Sequence, residues 1–208
     1  MISIGVTGAM GCGKTTVSAF FGKMGAEVLN ADRIAKDFLK KPEVKRKIRA
    51  LFGRGVFLGA AVNPGRLARV VFADKRMMRR LTSIIHPMVI GHIASRIARK
   101  KSGIAVVDAP LLIESGLNRR MDYLVVVRAK PSSRMKRCLR GRYRAEEVTR
   151  RMKMQMTESQ KLKRADFVIV NDGTVSEARA EAVRVWVTIK NDIKSKGELN
   201  MKRRERNG

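Results

Sequence analysis

Apolar positions along this chain alternate between two rhythms: short continuous runs and stripes of 3.6-residue period. Ile2–Thr7 is apolar and β-branched and runs straight into glycines, which predicts a buried strand. Val17, Phe20, Phe21 and Met24 then recur at helical spacing, so 14–24 reads as a helix. Glu27–Asn30 reads as a second strand. From 32 to about 100 the pattern is almost wholly helical, with a glycine-rich connector at 53–65. Its last part carries one apolar stripe through Leu81, Ile84, Ile85, Met88, Val89, His92, Ile93 and Ile97. Pro87 falls inside that stripe, and because proline is tolerated in a first turn, a new helix is expected to begin there. Further strands are expected at 104–107, ended by Asp108 and Pro110, at 123–127, and at Phe167–Val170, ended by Asn171, Asp172 and Gly173. Helices are expected at 132–164, broken near Gly141, and at 175–194.

Strand–helix alternation with continuous apolar strands predicts a parallel sheet covered on both faces, an α/β fold. The 208 residues suit one domain, 1–196. Its core is expected at about 1–34, 101–130 and 165–195, with a helical insertion at about 35–100 and basic helices at about 131–164. Residues 197–208 read as a frayed, disordered basic tail. No apolar run approaches the ~18 residues that a membrane helix needs, so no membrane partner is expected. The start of the chain has no basic leader, and Cys12 and Cys138 alone make no disulfide framework, which together point to a cytoplasmic setting.

Charge changes the picture. Lys and Arg number 46 against 18 Asp and Glu, a net +28. Non-specific polyanion binding at low salt follows from that alone. Two classes stay open on composition: a nucleic-acid-binding module, or an enzyme for small, highly phosphorylated substrates. The chain shows no helix-turn-helix, RRM or zinc module, and aromatic residues are only 5%, so no specific nucleic-acid partner is expected.

The segment after the first strand chooses between them. Gly8-Ala9-Met10-Gly11-Cys12-Gly13-Lys14-Thr15 satisfies G-x-x-x-x-G-K-[ST], with a strand before it and a helix after it, as the mechanism requires. The glycines let backbone N–H groups curl around a phosphate, and the helix N-terminus adds unpaired donors and a favourable dipole. Lys14 would reach the β- and γ-phosphates and the Thr15 hydroxyl would ligate Mg²⁺, with Thr16 beside it. An ATP- or GTP-using enzyme is the expectation.

Asp32 sits just beyond the second strand, on the sheet edge that carries the phosphate loop. It reads equally as a general base on a substrate hydroxyl or as the N-cap of the following helix. Asp108, at a strand end, reads as a Mg²⁺ anchor or as a turn-former before Pro110. His92 lies on the apolar stripe and reads as a core residue, whereas His86 could cap the helix that Pro87 begins. Cys12 reads as a tolerated small residue within the loop.

Five segments in order resemble the dephospho-CoA kinase family. They are 5–32, the Leu81–Pro87 stretch LTSIIHP, the 108–115 stretch DAPLLIES, Arg140 followed by Arg151-x-x-x-Gln155, and ADFVIVNDG at 165–173. The resemblance implies a three-layer α/β/α P-loop kinase with a five-stranded parallel sheet, a helical acceptor-binding insertion and a lid. It implies transfer of the ATP γ-phosphate to the ribose 3′-hydroxyl of dephospho-CoA with Mg²⁺. A nucleoside-monophosphate kinase of the same fold is the alternative. Carried over, Gly8, Gly11, Cys12, Gly13, Lys14, Thr15 and Thr16 serve the nucleotide, and Thr15 and Asp108 the metal. Asp32 is the base; His86, Leu111 and Glu114 face the acceptor; Arg140 is the lid arginine; Asn171 and Gly173 lie near the adenine. Asn30 stands where the family commonly has the first acid of Asp-x-Asp, Pro64 where an arginine is usual, and Gly141-Arg142 where an acid follows the lid arginine.

Overall fold

The computed structural model describes residues 1–100, 102–141 and 143–206, with the side chains of 197–206 left aside. In chain order the core opens with β1 (Ile2–Thr7), α1 (Lys14–Lys23) and β2 (Glu27–Asn30). The insertion follows as α2 (Ala31–Phe38), α3 (Pro42–Phe52), the short strands β3 (Phe57–Leu58) and β4 (Ala61–Val62), α4 (Pro64–Ala73) and α5 (Lys75–Arg99). Then come β5 (Ile104–Asp108), β6 (Tyr123–Arg128), α6 (Pro131–Arg140), α7 (Ala145–Lys153), α8 (Glu158–Leu162), β7 (Phe167–Val170) and α9 (Val175–Arg206).

The five main strands form one parallel sheet in the order β2-β5-β1-β6-β7. Successive side chains along β5 and β6 enter two different cores, as a sheet covered on both faces requires. Ile4, Val6, Val106, Val125, Val127 and Ile169 meet α1 and α9 through Val17, Phe21, Val185, Trp186 and Ile189. On the other face Leu29, Val107, Leu124 and Val126 meet the helical insertion through Val44, Ile48, Leu67, Ile85, Val89 and Ile93. β1 lies between β5 and β6; the chain leaves it to one side for β2 and later crosses from β5 over it to β6 on the other side. A crevice opens at the carboxyl end of such a strand, and there the chain places its glycine-rich loop.

Three expectations are corrected. Pro87 starts no helix; it lies inside the 25-residue α5. An interior proline costs about 3 kcal/mol. Buried Ile85, Val89 and Ile93 lie on either side of it, each worth roughly 1.5–3 kcal/mol when withdrawn from water, and their sum outweighs the break. The connector at 53–65 holds a two-stranded antiparallel ribbon, β3 with β4, turning at Gly59 with φ +57°. Finally, α9 continues to Arg206 beyond the expected end at 194, through a segment rich in Lys, Arg and Glu, which favour helix; 207 and 208 lie outside the described residues. Among the described residues no helix is long and apolar enough to cross a membrane.

Trp186 of α9 stacks on Phe21 of α1, with ring centroids 5.7 Å apart, and joins the two helices over one sheet face. Trp186→Ala should lower stability by about 3–5 kcal/mol, the usual range for emptying a buried aromatic site. Urea denaturation checks this through a lower midpoint at unchanged slope.

Candidate functional site

The phosphate loop is built by exclusion of side chains. Gly13 N-caps α1 in the left-handed region at φ +90°, with no side chain closing the helix start, so the first amides of α1 are free for an anion. A Cβ on Gly13 would collide with the Asn171 side-chain amide. At Gly11, φ +77°, a Cβ would lie 2.5 Å from the Arg134 carbonyl oxygen. The loop is therefore clamped between the sheet edge and α6.

Two side chains hold it there. Asn171, 7% exposed, donates through Nδ2 to the Cys12 carbonyl at 2.8 Å. Arg137 on α6 bonds the Asn171 carbonyl at 2.9 Å and reaches the Gly11 and Cys12 carbonyls at 3.5 Å. Asn171, expected near the adenine, has its side-chain amide committed to bracing the loop. Gly173, expected beside it, lies in the turn closed by Glu177, which accepts from the Thr174 N–H at 2.7 Å. Arg140 is exposed at the end of α6, and among the described residues it is Arg137, one turn earlier, that touches the loop. The i, i+3 spacing of Arg134, Arg137 and Arg140 was the available signal. Arg142 lies outside the described residues. Burial pushes the Cys12 thiol up, so it stays protonated, in keeping with a small filler.

Lys14 is partly buried, and Thr15 and Thr16 are exposed at the start of α1. Facing them is Asp108, 1% exposed, at the end of β5. Its Oδ2 accepts from Asn30 Nδ2 at 2.9 Å, while its Oδ1 is buried with no partner among the described residues. Burial pushes this carboxyl up; the Lys14 charge and the Thr15 hydroxyl pull it back. An orphaned carboxylate oxygen beside a threonine and a lysine fits a divalent cation. Among the described residues no group of three or more His, Cys, Asp or Glu converges, so such a cation would share its remaining positions with phosphates and water.

Asn30, and not Asp32, is the cap of α2. Asn30 Oδ1 accepts from the Arg33 N–H at 2.8 Å and is the N-cap of α2. Asp32 lies in the first turn, exposed and spared from capping. It sits on the rim of a largely apolar cavity of about 200 Å³ between α2, α5 and the segment after β5. His86, Leu111, Ile85 and Leu117 line the same cavity. His86 lies mid-helix in α5, so it caps nothing, and burial pushes its imidazole below the usual value, towards the neutral form. His92 packs edge-on against Phe38, as a core histidine should. Glu114 does not line the cavity; it pairs with Lys161 at 3.0 Å and accepts from the Met156 N–H at 2.8 Å.

α6 and the helix after it carry further arginines. Arg134 pairs with Glu158 at 3.1 Å, and Arg151 with Glu147 at 2.6 Å, stacked over Phe72 and Tyr143 at 4.6 and 4.9 Å. Arg134 Nε, Arg151 Nε and Gln155 Oε1 are buried without partners among the described residues. Pro64 opens α4 at its first turn, and Arg66, two residues on, is occupied by the Phe57 carbonyl at 2.7 Å.

Comparison with known proteins gives a consistent result. A family model described as dephospho-CoA kinase matches residues 2–177. The dephospho-CoA kinase of Chlorobaculum tepidum is 35% identical over 195 residues, spanning 89% of this chain and 94% of that protein. A crystal structure of TT1252 from Thermus thermophilus superposes with a TM-score of 0.77 at 31% identity, covering 90% of this chain and 96% of that one. Dephospho-CoA kinase from Campylobacter jejuni superposes at 0.66 with 26% identity, covering 91% and 98%.

Gly13→Ala should weaken ATP binding by at least about tenfold, because Asn171 must leave the loop to admit a methyl group. Gly25→Ala is the control: φ is +101° there with nothing within 4 Å, so it should cost about 1 kcal/mol of stability and leave ATP affinity alone. Nucleotide titration calorimetry on both variants separates the two effects.

Proposed function

This chain belongs to the dephospho-CoA kinase family, and on that premise we propose how its residues carry the family's reaction. The γ-phosphoryl group of ATP passes to the ribose 3′-hydroxyl of dephospho-CoA, giving coenzyme A. One observation carries the assignment of roles: the glycine loop with Lys14, and the apolar cavity with Asp32 on its rim, meet at the same carboxyl edge of the sheet.

The loop amides and Lys14 hold the ATP phosphates, and Lys14 offsets charge as the bond to the leaving phosphate lengthens. Thr15 and Asp108 Oδ1 would hold Mg²⁺, which when bound neutralises the β- and γ-phosphate oxygens. Asn30 orients Asp108 by occupying its other oxygen. The apolar cavity receives the adenosine end of the acceptor, with neutral His86 as a polar contact within it. Asp32 accepts the proton of the 3′-hydroxyl as the new P–O bond forms. Arg134, Arg140 and Arg151 meet the phosphates when the lid segment closes, which would supply partners for the lone Nε atoms of Arg134 and Arg151. Free, buried Cys12 and Cys138 suit a reducing compartment, and we place the enzyme in the cytoplasm.

ADP release measured with dephospho-CoA, AMP, CMP, pantetheine phosphate or no acceptor tests the assignment. Turnover should require dephospho-CoA, and equal rates with AMP or CMP would make the chain a nucleoside-monophosphate kinase instead. Asp32→Asn tests the base. Since Asn30 supplies the helix cap, the melting temperature should not change. Turnover should fall by roughly 10²–10⁴-fold, towards the lower end because a loose phosphoryl-transfer transition state needs little early deprotonation. Native kcat in this variant would remove Asp32 from the chemistry.

A further inference from the structure

Lys161 on α8 is fully buried, at 0% exposure, and none of the chemistry above uses it. Its Nζ donates to the Pro110 carbonyl at 2.6 Å and pairs with Glu114 Oε1 at 3.0 Å. The surroundings press against the charge: burial lowers the ammonium's pKa, and only Glu114 strongly supports it. Buried ion pairs are a poor route to stability, since an apolar side chain of similar size often does as well or better. A charge kept there should therefore do something that methionine could not.

Its contacts show what that is. The Pro110 carbonyl also accepts from Thr7 Oγ1 at 3.3 Å, and Thr7 is the last residue of β1, directly before Gly8. Two residues before Pro110 stands Asp108, on the donor side; one residue after it stands Leu111, in the wall of the acceptor cavity. Glu114 Oε1 further accepts from the Met156 N–H, on the chain returning from α7 to α8. The capping box of Thr157 and Gln160 fixes the start of α8 and with it the placement of Lys161. Three parts are thus linked through the Lys161–Glu114 pair: the root of the phosphate loop by way of the Pro110 carbonyl, the segment between donor and acceptor sites, and, by way of Glu114, the chain leaving the lid.

We propose that Lys161 is a positioning residue for phosphoryl transfer: its ammonium, held by Glu114, fixes the Pro110 carbonyl and so sets the spacing between Asp108 and the acceptor wall at Leu111. The inference rests on the kinase reading, and wild-type turnover of dephospho-CoA tests that reading separately. A reacting pair displaced by about 1 Å can lose on the order of 10²-fold in rate without losing its ligands.

The experiment compares wild type, Lys161→Met, Glu114→Gln and the double variant. Steady-state kinetics are read well below each melting midpoint, so that loss of folded protein does not enter. Lys161→Met should lower kcat by at least about tenfold and leave the KM for ATP within about twofold. The double variant removes both charges and keeps an oxygen for the Met156 N–H; its kcat should stay as low as that of Lys161→Met. Recovery of kcat in the double variant to near the wild-type value would overturn the proposal, because the pair would then serve only to neutralise itself. Native kcat in Lys161→Met would overturn it too. If neither lysine variant folds, Glu114→Gln decides: a kcat loss of about fivefold or more is expected, and native kcat overturns the proposal.

Discussion

The site depends on one carbonyl being turned inward. The Cys12 oxygen is bonded by the Asn171 amide at 2.8 Å inside the protein, with Arg137 close behind. A carbonyl held there cannot repel an anion at the mouth of the loop, and the free amides at the start of α1 face the ligand with little opposing charge. This also explains why the loop must lack side chains. Asn171 comes so close that no Cβ fits at Gly13, and α6 so close that none fits at Gly11. The flexibility usual for glycine is lost here, because the neighbours fill the space that the missing side chains leave.

The carboxylates divide by surroundings rather than by type. Asp108 is sealed in the sheet edge, with one oxygen taken by Asn30 and the other free. Asp32, two residues past Asn30, is open to the cavity. A single asparagine organises both: its amide nitrogen serves Asp108 and its oxygen caps α2. An aspartate at position 30 could cap the helix equally well. Ionised, it could not donate to Asp108, and two buried like charges would raise each other's pKa.

The sheet, the loop and its lysine were legible because their signals are local: continuous apolar runs, and glycines followed by Lys14 and Thr15. His86 and Leu111 were legible through the resemblance alone, and the structure brings them together with Asp32 around one cavity. The missed features arise from contacts distant in sequence. Pro87 was read by its local cost, whereas the burial of Ile85, Val89 and Ile93 decides the helix. Asn30 reads in sequence as a lost acid, because its value lies in Asp108, 78 positions away. That Arg137 braces the loop is not legible either, because only the docking of α6 on the loop tells neighbouring turns apart. The ion pair of Glu114 with Lys161 is likewise hidden, since Lys161 looks in sequence like any of the basic residues of that stretch.

The brace on the loop also fixes an order of events when the protein is made. Cys12 and Asn171 are 159 positions apart, so the loop leaves the ribosome long before its support. Domains form as units during synthesis at about 5–20 residues per second. For several seconds, then, a nascent chain holds every residue of the nucleotide motif without the strand end that stiffens it. A loop made well before its brace thus becomes one of the last parts of the molecule to work.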